Sequence, residues 1–240
     1  MNALIGYTGF VGSNIKNQQT FQHCYNTKNI NNIKGKTFDT VVWSGVSGVK
    51  FLANQNPKKD FDDIESLIKN IQTITFKKFI LISTLSVYDN PADNGYGRNR
   101  LYLENYIRNN YHDYLIVRLP GLFGKGLKKN ALYDLLNKNY QYSPNKNSTL
   151  QYYNLDNLWK DINCALDNNL SVLNIGTEPI VFSEILDLFS LDSNIFLSKN
   201  IVVEDMRSQH AKYWGKTGDY LYSKQEMIYQ LKHFIQNYKL

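Results

Sequence analysis

Short apolar runs alternate with longer amphipathic segments along the first half of the chain. Apolar runs of five or six residues, bounded by polar or turn-forming residues, predict strands at 2–6, 21–25, 39–43, 78–83 and 113–118. Apolar residues at helical spacing predict helices near 11–19, 57–73, 96–110, 128–139, 156–168, 183–190 and 223–238. Buried-type strands that alternate with helices are typical of a parallel sheet covered on both faces. The pattern therefore predicts an α/β fold.

The alternation becomes irregular from about residue 119. A Gly/Lys-rich turn, GLFGKGLKKN, and a polar loop, YSPNKNST, interrupt it. Such stretches are where a smaller lobe can be inserted. We expect residues 1–125, with a returning segment near 150–178, to form the core. Residues 126–149 and 179–240 would form a small C-terminal lobe.

Composition narrows the classes of function. The 240-residue chain carries a formal charge of +6 and has a pI of about 9.0, but it contains no nucleic-acid-binding motif or dense basic helix. Positive charge near a cleft would suit a phosphorylated small molecule equally well. Cys24 and Cys164 lack metal-type spacing and are expected to be buried, reduced thiols. No leader segment or membrane span is recognisable, so we expect a cytoplasmic protein that binds neither nucleic acid nor membrane.

A glycine-rich stretch, GYTGFVG, follows the first predicted strand and precedes the first predicted helix. Glycines spaced three and three are what a pyrophosphate cradle requires: a tight turn, close approach of phosphate to backbone N–H groups, and close packing of helix on strand. The strand–turn–helix context supports a dinucleotide site over a purely structural turn. Together with the alternation, it predicts a Rossmann-type doubly wound sheet. The candidate cofactor-binding residues here are Gly6, Thr8, Gly9, Phe10, Val11 and Gly12.

The end of the second strand bears on which dinucleotide binds. NAD-preferring folds place an acidic residue there to hold the ribose 2′-OH. This chain instead has Asn26, Thr27 and Lys28, which could hold a 2′-phosphate and so favour NADP(H) over NAD(H). The alternative is that Lys28 is an ordinary loop charge. Ser44 and Gly45, after the third strand, either pass close to the cofactor or only form a loop.

Several motifs, in this order, resemble those of the extended short-chain dehydrogenase/reductases, which include nucleotide-sugar epimerases, dehydratases and ketoreductases. GYTGFVG is similar to the family's Gly-x-x-Gly-x-x-Gly, and LISTLSVYDN to its Ser-Ser/Thr-x-x-Val-Tyr-Gly. GYGRNR resembles Tyr-Gly-x-x-Lys, and VRLPGLFG resembles Arg-x-x-Asn-x-x-Gly. The resemblance puts Thr84 at the catalytic hydroxyl position, Tyr96 at the catalytic tyrosine and Arg100 at the lysine. It also implies that the C-terminal lobe binds a nucleotide sugar and that the protein is a homodimer formed through helices such as 57–73 and 96–110.

The chemistry of Tyr96 and Arg100 is consistent with that assignment. Residues four apart on a helix share a face, so the two side chains would project together. A phenol titrates near pH 10, and a fixed cation beside it favours the phenolate. Thr84, at the end of a parallel strand, would present its hydroxyl at the ligand-binding edge of the sheet. The resemblance implies that the family's lysine lowers the pKa of the tyrosine and also bonds the ribose hydroxyls of the nicotinamide, so Tyr96 and Arg100 are candidate cofactor-binding residues as well. Arginine keeps the charge of lysine but is bulkier and planar, so Arg100 is a departure from the family in how it would bond the ribose.

Two functions fit these residues. The first is an NAD(P)-dependent ketoreductase or epimerase that acts on a nucleotide-linked sugar with Tyr96 as general acid/base. The second is a non-catalytic NAD(P)-binding sensor or assembly protein, which Arg100, Gly121 in place of the usual asparagine and the short second lobe would favour. The four histidines lack ligand spacing, so no metal site is predicted. Tyr88 is expected to be a packing residue.

Overall fold

The computed structural model describes residues 1–90, 92, 94–192 and 199–238, except the side chain at position 142. Residues 193–198 and 239–240 of the predicted C-terminal lobe lie outside the described residues. The chain forms two compact units: residues 1–118 with 159–173, and residues 119–158 with 174–240. The sequence had suggested divisions near 125, 150 and 178.

The first unit is built around β1 (Asn2–Ile5), β2 (His23–Tyr25), β3 (Thr37–Trp43), β4 (Thr75–Thr84) and β5 (Tyr114–Leu119). A short strand near its end, β9 (Val172–Asn174), completes a six-stranded sheet in the order β2-β1-β3-β4-β5-β9 among the described residues. The pairs β1–β2, β1–β3 and β3–β4 are parallel. This confirms the predicted Rossmann-type fold, to which the sixth strand is an addition.

Helices cover both faces of this sheet. They are α1 (Phe10–Gln18), α2 (Lys50–Gln55), α3 (Pro57–Ile71), α4 (Gly95–Asn110) and α6 (Leu158–Asp167). On one face, Ile64 of α3 and Leu103 of α4 belong to the same buried cluster as Val41, Trp43 and Phe79 of the sheet. On the other face, α1 packs on β1. The helix α6 lies beside α1, and the two are joined by the N–H of Trp159 in α6, which donates to Oε1 of Gln18 in α1 at 3.0 Å. Sequence periodicity did not predict α2.

The second unit contains short strands and helices. Its strands are β6 (Gly121–Phe123), β7 (Thr149–Leu150), β8 (Tyr152–Asn154) and β10 (Ile180–Val181), and its helices are α5 (Ala131–Leu136), α7 (Phe182–Asp187) and α8 (Lys224–Asn237). β6 pairs with β8 in parallel, and β7 pairs with β10 antiparallel. The predicted helix 128–139 is shorter in the structure, because Asn130 caps α5 by accepting from the Tyr133 N–H.

The register of the sheet positions the candidate site. Ile5 is paired with Tyr25 on one side and Trp43 on the other, and Trp43 is paired with Leu81. The strands β1, β2 and β3 therefore end level with one another, at the carboxyl edge where ligands bind in folds of this kind. The candidate residues that follow these three strands leave the sheet from this one edge.

Candidate active site

The glycine turn forms a tightly packed loop between β1 and α1. Gly6 has a φ of +86°, which favours glycine, and a side chain there would lie 2.5 Å from the Ser44 carbonyl oxygen. A side chain at Gly12 would lie 2.1 Å from the Gly6 carbonyl oxygen and 2.7 Å from Ser44 Oγ. These glycines let the turn, the helix and the end of β3 approach one another. Gly45 directly follows Ser44, the residue that the turn contacts.

The same turn fits the phosphates of a dinucleotide. The helix α1 begins after Gly9, which has no side chain and makes no side-chain cap, so no capping group competes for the first-turn N–H groups. Phe10, Val11 and Gly12 contribute those groups, and the helix dipole favours an anion beside them. Thr8 is exposed at the mouth of the turn. The cradle at the carboxyl edge therefore suits a pyrophosphate.

The loop after β2 is held by side-chain hydrogen bonds. Asn26 Oδ1 accepts from the Lys28 N–H at 2.9 Å, and Asn26 Nδ2 donates to the Tyr7 hydroxyl at 3.3 Å. Lys16 Nζ lies 4.8 Å from the centre of the Tyr7 ring. Thr27 and Lys28 are exposed, and Lys28 has no carboxylate partner in the described part of the chain. The structure thus places a fixed amide and two exposed lysines near the end of β2.

Thr84 and Tyr96 lie on two elements that pack together. Thr84 ends β4, and its Oγ1 accepts from the Ser86 N–H at 3.2 Å, which starts a 3₁₀ turn over Leu85–Tyr88. The first turn of α4 packs on this turn, since a side chain at Gly97 would lie 1.9 Å from the Ser86 carbonyl oxygen. Tyr96 is next to Gly97 in the same helical turn. The packing brings the elements that carry the two candidate catalytic residues to one edge of the sheet.

Arg100 lies over the ring of Tyr96, with Cζ 3.9 Å from the ring centre. Its side chain is only 5% exposed and forms an ion pair with Asp60, which is also buried. Its other terminal nitrogen, Nη2, donates to the Ser47 carbonyl oxygen. Arg100 therefore keeps the expected proximity to Tyr96, but Asp60 neutralises its charge. Sequence reasoning did not single out Asp60.

A second buried ion pair lies deeper in the same unit. Glu104 is fully buried and accepts from Arg118 Nε at 3.0 Å and from Ser83 Oγ at 2.6 Å. Burial lowers the pKa of Arg118, but its hydrogen bonds and charge pairing with Glu104 outweigh burial and raise the pKa. Arg118 also donates to the hydroxyl of Tyr88, which is 58% exposed. Tyr88 packs against Arg118, whose Cζ lies 4.9 Å from its ring centre, but it does so from the surface and not from the core.

The helical pattern of the sequence could have identified Asp60 and Glu104, two buried carboxylates that sequence reasoning did not single out. Asp60 lies on the buried face of α3 with Ile64 and Ile68. Glu104 lies on the buried face of α4, next to Leu103 and Ile107. A carboxylate at helical spacing with apolar core residues is buried, and a buried carboxylate needs a partner.

The second unit contains Gly121, the lysines of the Gly/Lys-rich turn and Arg207. A side chain at Gly121 would lie 2.8 Å from the Gln151 carbonyl oxygen, so glycine allows β6 to approach the chain next to β8. Lys125, Lys128 and Lys129 are exposed. Arg207 forms ion pairs with Asp205 and Asp219.

The remaining expectations concern thiols, metals and membranes. Cys24 and Cys164 are free but half-buried, so the expectation that they are buried is wrong. Over the residues that the structure describes, no group of three or more metal-ligating side chains occurs. Within the same residues, none of the helices combines the length and the apolar character that a membrane crossing requires.

Solved structures share this fold, although no protein-family model and no curated protein sequence matches the chain significantly. A double mutant of DesIV, a dTDP-glucose 4,6-dehydratase from Streptomyces venezuelae with NAD and DAU bound, has a TM-score of 0.71 at 12% identity, over 99% of this chain and 97% of that chain. RMD from Pseudomonas aeruginosa, complexed with NADPH, has a TM-score of 0.65 at 13% identity, over 91% and 93%. UDP-glucose 4-epimerase from Thermotoga maritima, with UDP-glucose, has a TM-score of 0.64 at 15% identity, over 98% of both chains. The resemblance to the extended short-chain dehydrogenase/reductases is thus confirmed for the fold.

Proposed function

We propose that the chain is an NAD(P)-dependent oxidoreductase or epimerase that acts on a nucleotide-linked sugar. The observation that supports this proposal is that the glycine turn follows β1 and Thr84 ends β4 in one parallel sheet, with the first turn of α4, which carries Tyr96, packed against the turn after Thr84. Ligands of doubly wound folds bind at that edge. The fold alone does not define an activity, so the proposal depends on these residues and their chemistry.

A nicotinamide dinucleotide is the cofactor that the cradle fits. Its pyrophosphate would lie against the first-turn N–H groups of α1, and the adenosine ribose would lie near the end of β2. When bound, the cofactor would supply the hydride. The absence of a carboxylate at Asn26, together with the exposed Lys28, supports NADP(H) over NAD(H), because a carboxylate there would repel a 2′-phosphate.

The chain's own contribution would be the movement and placement of one proton. In the reducing direction, the Tyr96 hydroxyl would give its proton to the oxygen of a keto carbon, and it would take that proton back in the oxidising direction. Thr84 would hydrogen-bond the same oxygen and hold it near the phenol. An epimerase would use the same residues and return the hydrogen to the opposite face of the carbon.

We also propose a substrate lobe and a dimer. The second unit would bind the nucleotide part of the substrate, and its exposed Lys125, Lys128 and Lys129 suit a diphosphate. A homodimer would form through α3 and α4, whose outer surface carries the partly exposed Phe61 and Tyr102 with ring centres 4.8 Å apart. Large aromatic side chains on a helix pair are typical of protein interfaces.

One observation favours a second function, a non-catalytic NAD(P)-binding sensor or assembly protein. The Arg100 guanidinium is buried and paired with Asp60, whereas a lysine at this position in the family would offer its ammonium to the cofactor ribose. A chain with this pairing could bind the dinucleotide without turnover. The two functions differ in whether Tyr96 performs chemistry.

Two measurements test the proposal, and the second of them separates the two functions. The first is a titration of the protein with NADPH and with NADH, followed by nicotinamide fluorescence. Tighter binding of NADPH supports the 2′-phosphate argument, whereas preference for NADH would refute it. Failure of both to bind at tens of micromolar would refute the proposed function itself.

The second measurement uses Tyr96→Phe in a screen of keto-sugar nucleotides. The enzyme hypothesis predicts that turnover falls by a factor of about 100 or more while cofactor affinity stays within twofold, because only the proton donor is lost. Tyr102→Phe is the matched control: it removes a hydroxyl from the same helix, one that donates to Glu65 on α3. Full activity in Tyr96→Phe would exclude Tyr96 from the mechanism. Cofactor binding without turnover of any substrate by the unaltered protein would favour the sensor.

A further inference from the structure

We infer that Asp60 is a positioning residue for Tyr96, and that it acts through Arg100. The inference rests on the proposed role of Tyr96. In this arrangement the arginine at the family's lysine position does not hold the cofactor. It forms a neutral clamp with Asp60 that fixes the tyrosine ring and the loop after β3.

The first part of the argument is the set of bonds around Arg100. Nη1 donates to Asp60 Oδ2, and Nη2 donates to the Ser47 carbonyl oxygen. Nη1 also lies 3.5 Å from the Tyr96 carbonyl oxygen. Both terminal nitrogens are therefore occupied within the protein, and the side chain is almost fully buried. Three of the five N–H donors of the guanidinium therefore point at protein oxygens, and burial of the side chain limits access of a ribose hydroxyl to the other two.

The second part is the position of Asp60. It lies in the first turn of α3, where Oδ2 also accepts from Asn99 Nδ2 at 2.8 Å. The same Asn99 amide donates to the Pro57 carbonyl oxygen at 2.8 Å. Asp60 is thus bonded to two consecutive residues of α4. This fixes the start of α4 against the start of α3, and it fixes the plane of the guanidinium.

The third part is what the clamp does to Tyr96. The Tyr96 ring lies on the guanidinium, and the Tyr96 N–H donates to Asn54 Oδ1 of α2 at 2.8 Å. Its backbone and its ring are therefore both held by the α2–α3 corner. A phenol that transfers a proton must lie within hydrogen-bond reach of the substrate oxygen, and small displacements cost large factors in rate. The clamp supplies that rigidity, whereas a free lysine would supply charge.

The decisive variants change the charge with little change in shape. In Asp60→Asn the buried guanidinium loses its counter-ion and is expected to leave its place under Tyr96. The double variant Asp60→Leu/Arg100→Met removes both charges, so it avoids an unpaired buried ion and keeps the test informative if the single variant unfolds. Asp63→Asn is the matched control, because it makes the same change on the exposed face of α3, where Asp63 pairs with Lys59.

Three readouts test the inference. Nicotinamide fluorescence is expected to give cofactor affinities within twofold of the unaltered protein for both variants. Amide hydrogen exchange is expected to rise by about tenfold in residues 44–49 and around Tyr96, and to stay unchanged in Asp63→Asn. Turnover is expected to show a fall of roughly tenfold or more in kcat with KM unchanged, because ground-state binding does not use the angle of the tyrosine ring.

Two results would overturn it. A loss of tenfold or more in cofactor affinity in the double variant would mean that Arg100, or the loop that it holds, contributes to cofactor binding, so that the role of the clamp is not the placement of Tyr96. Unchanged exchange in residues 44–49 would mean that the clamp does not hold the loop. If the unaltered protein binds neither NADPH nor NADH, the proposed function fails instead, and the exchange measurement by itself then decides whether the clamp exists.

Discussion

The substitution Gly12→Ala tests the glycine cradle directly. The added Cβ would lie 2.1 Å from the Gly6 carbonyl oxygen and 2.7 Å from Ser44 Oγ. Carbon–oxygen contacts are ordinarily about 3.3 Å or longer, so the Gly6 carbonyl would have to move by roughly 1.2 Å. Gly6 is bonded through its N–H to the Tyr25 carbonyl oxygen at 2.7 Å, and displacement would disturb that bond as well.

The expected cost is that of overpacking, about 2 kcal/mol. For a chain of this size, that corresponds to a fall in Tm of roughly 4–8 °C. Because the cradle itself moves, cofactor affinity is expected to fall by at least about tenfold. The lower stability alone would not cause this fall, because the protein remains folded. Urea unfolding and the nicotinamide titration measure the two effects separately.

Gly48→Ala is the matched control for this experiment. Its added Cβ would meet nothing within 4 Å, and the residue follows the same strand, β3. We expect its stability to stay within about 0.5 kcal/mol of the unaltered protein and its cofactor affinity to be unchanged. If Gly12→Ala behaves like Gly48→Ala in both assays, the close packing of the turn and its role as a phosphate cradle are both refuted.

Two further predictions concern ion pairs. Glu104→Gln should lower the free energy of unfolding by about 3 kcal/mol in urea titrations, because it leaves Arg118 buried without its counter-ion; a change below about 1 kcal/mol would contradict this. The hydrogen bond from Lys77, with the N-terminal amine beside it, lowers the pKa of Asp39 to about 2. Because the folded-state pKa is depressed, this stabilisation is present above pH 4 and is lost as the pH falls toward about 2. A ¹³C carboxyl titration should give a midpoint near 2 that rises in Lys77→Met, and a midpoint near 4 without that substitution would refute the pairing.

The periodicity of the sequence was sufficient for the main architecture. Apolar runs identified five of the six strands of the described sheet because buried parallel strands need continuous apolar residues. The helix α2 was missed for the opposite reason. Phe51 and Leu52 are exposed, so the helix has no apolar stripe, and it is held instead by contacts with α4 such as that of Asn54 with the Tyr96 N–H. The last strand, β9, is only three residues long and carries no pattern of its own.

The order of the motifs along the chain predicted which residues lie at one edge of the sheet. The glycine turn, Thr84 and Tyr96 could be assigned from their order along the chain, since strand ends of a parallel sheet gather at one edge. What spacing could not determine was the electrostatic environment of Tyr96. That environment depends on the ion pair of Arg100 with Asp60, which lies 40 positions earlier in the chain. Asp60 is the same residue type as the nearby Asp62 and Asp63, so the sequence does not distinguish it from them.

The physical reason for this division is the range of each interaction. Strand and helix formation and the glycine turn depend on residues within a few positions, so the sequence alone determined the α/β fold and the location of the cradle. Burial and charge pairing depend on which helix faces meet in space. Only the tertiary structure therefore decided that Asp60 and Glu104 are buried partners of arginines, and that Tyr88 is exposed.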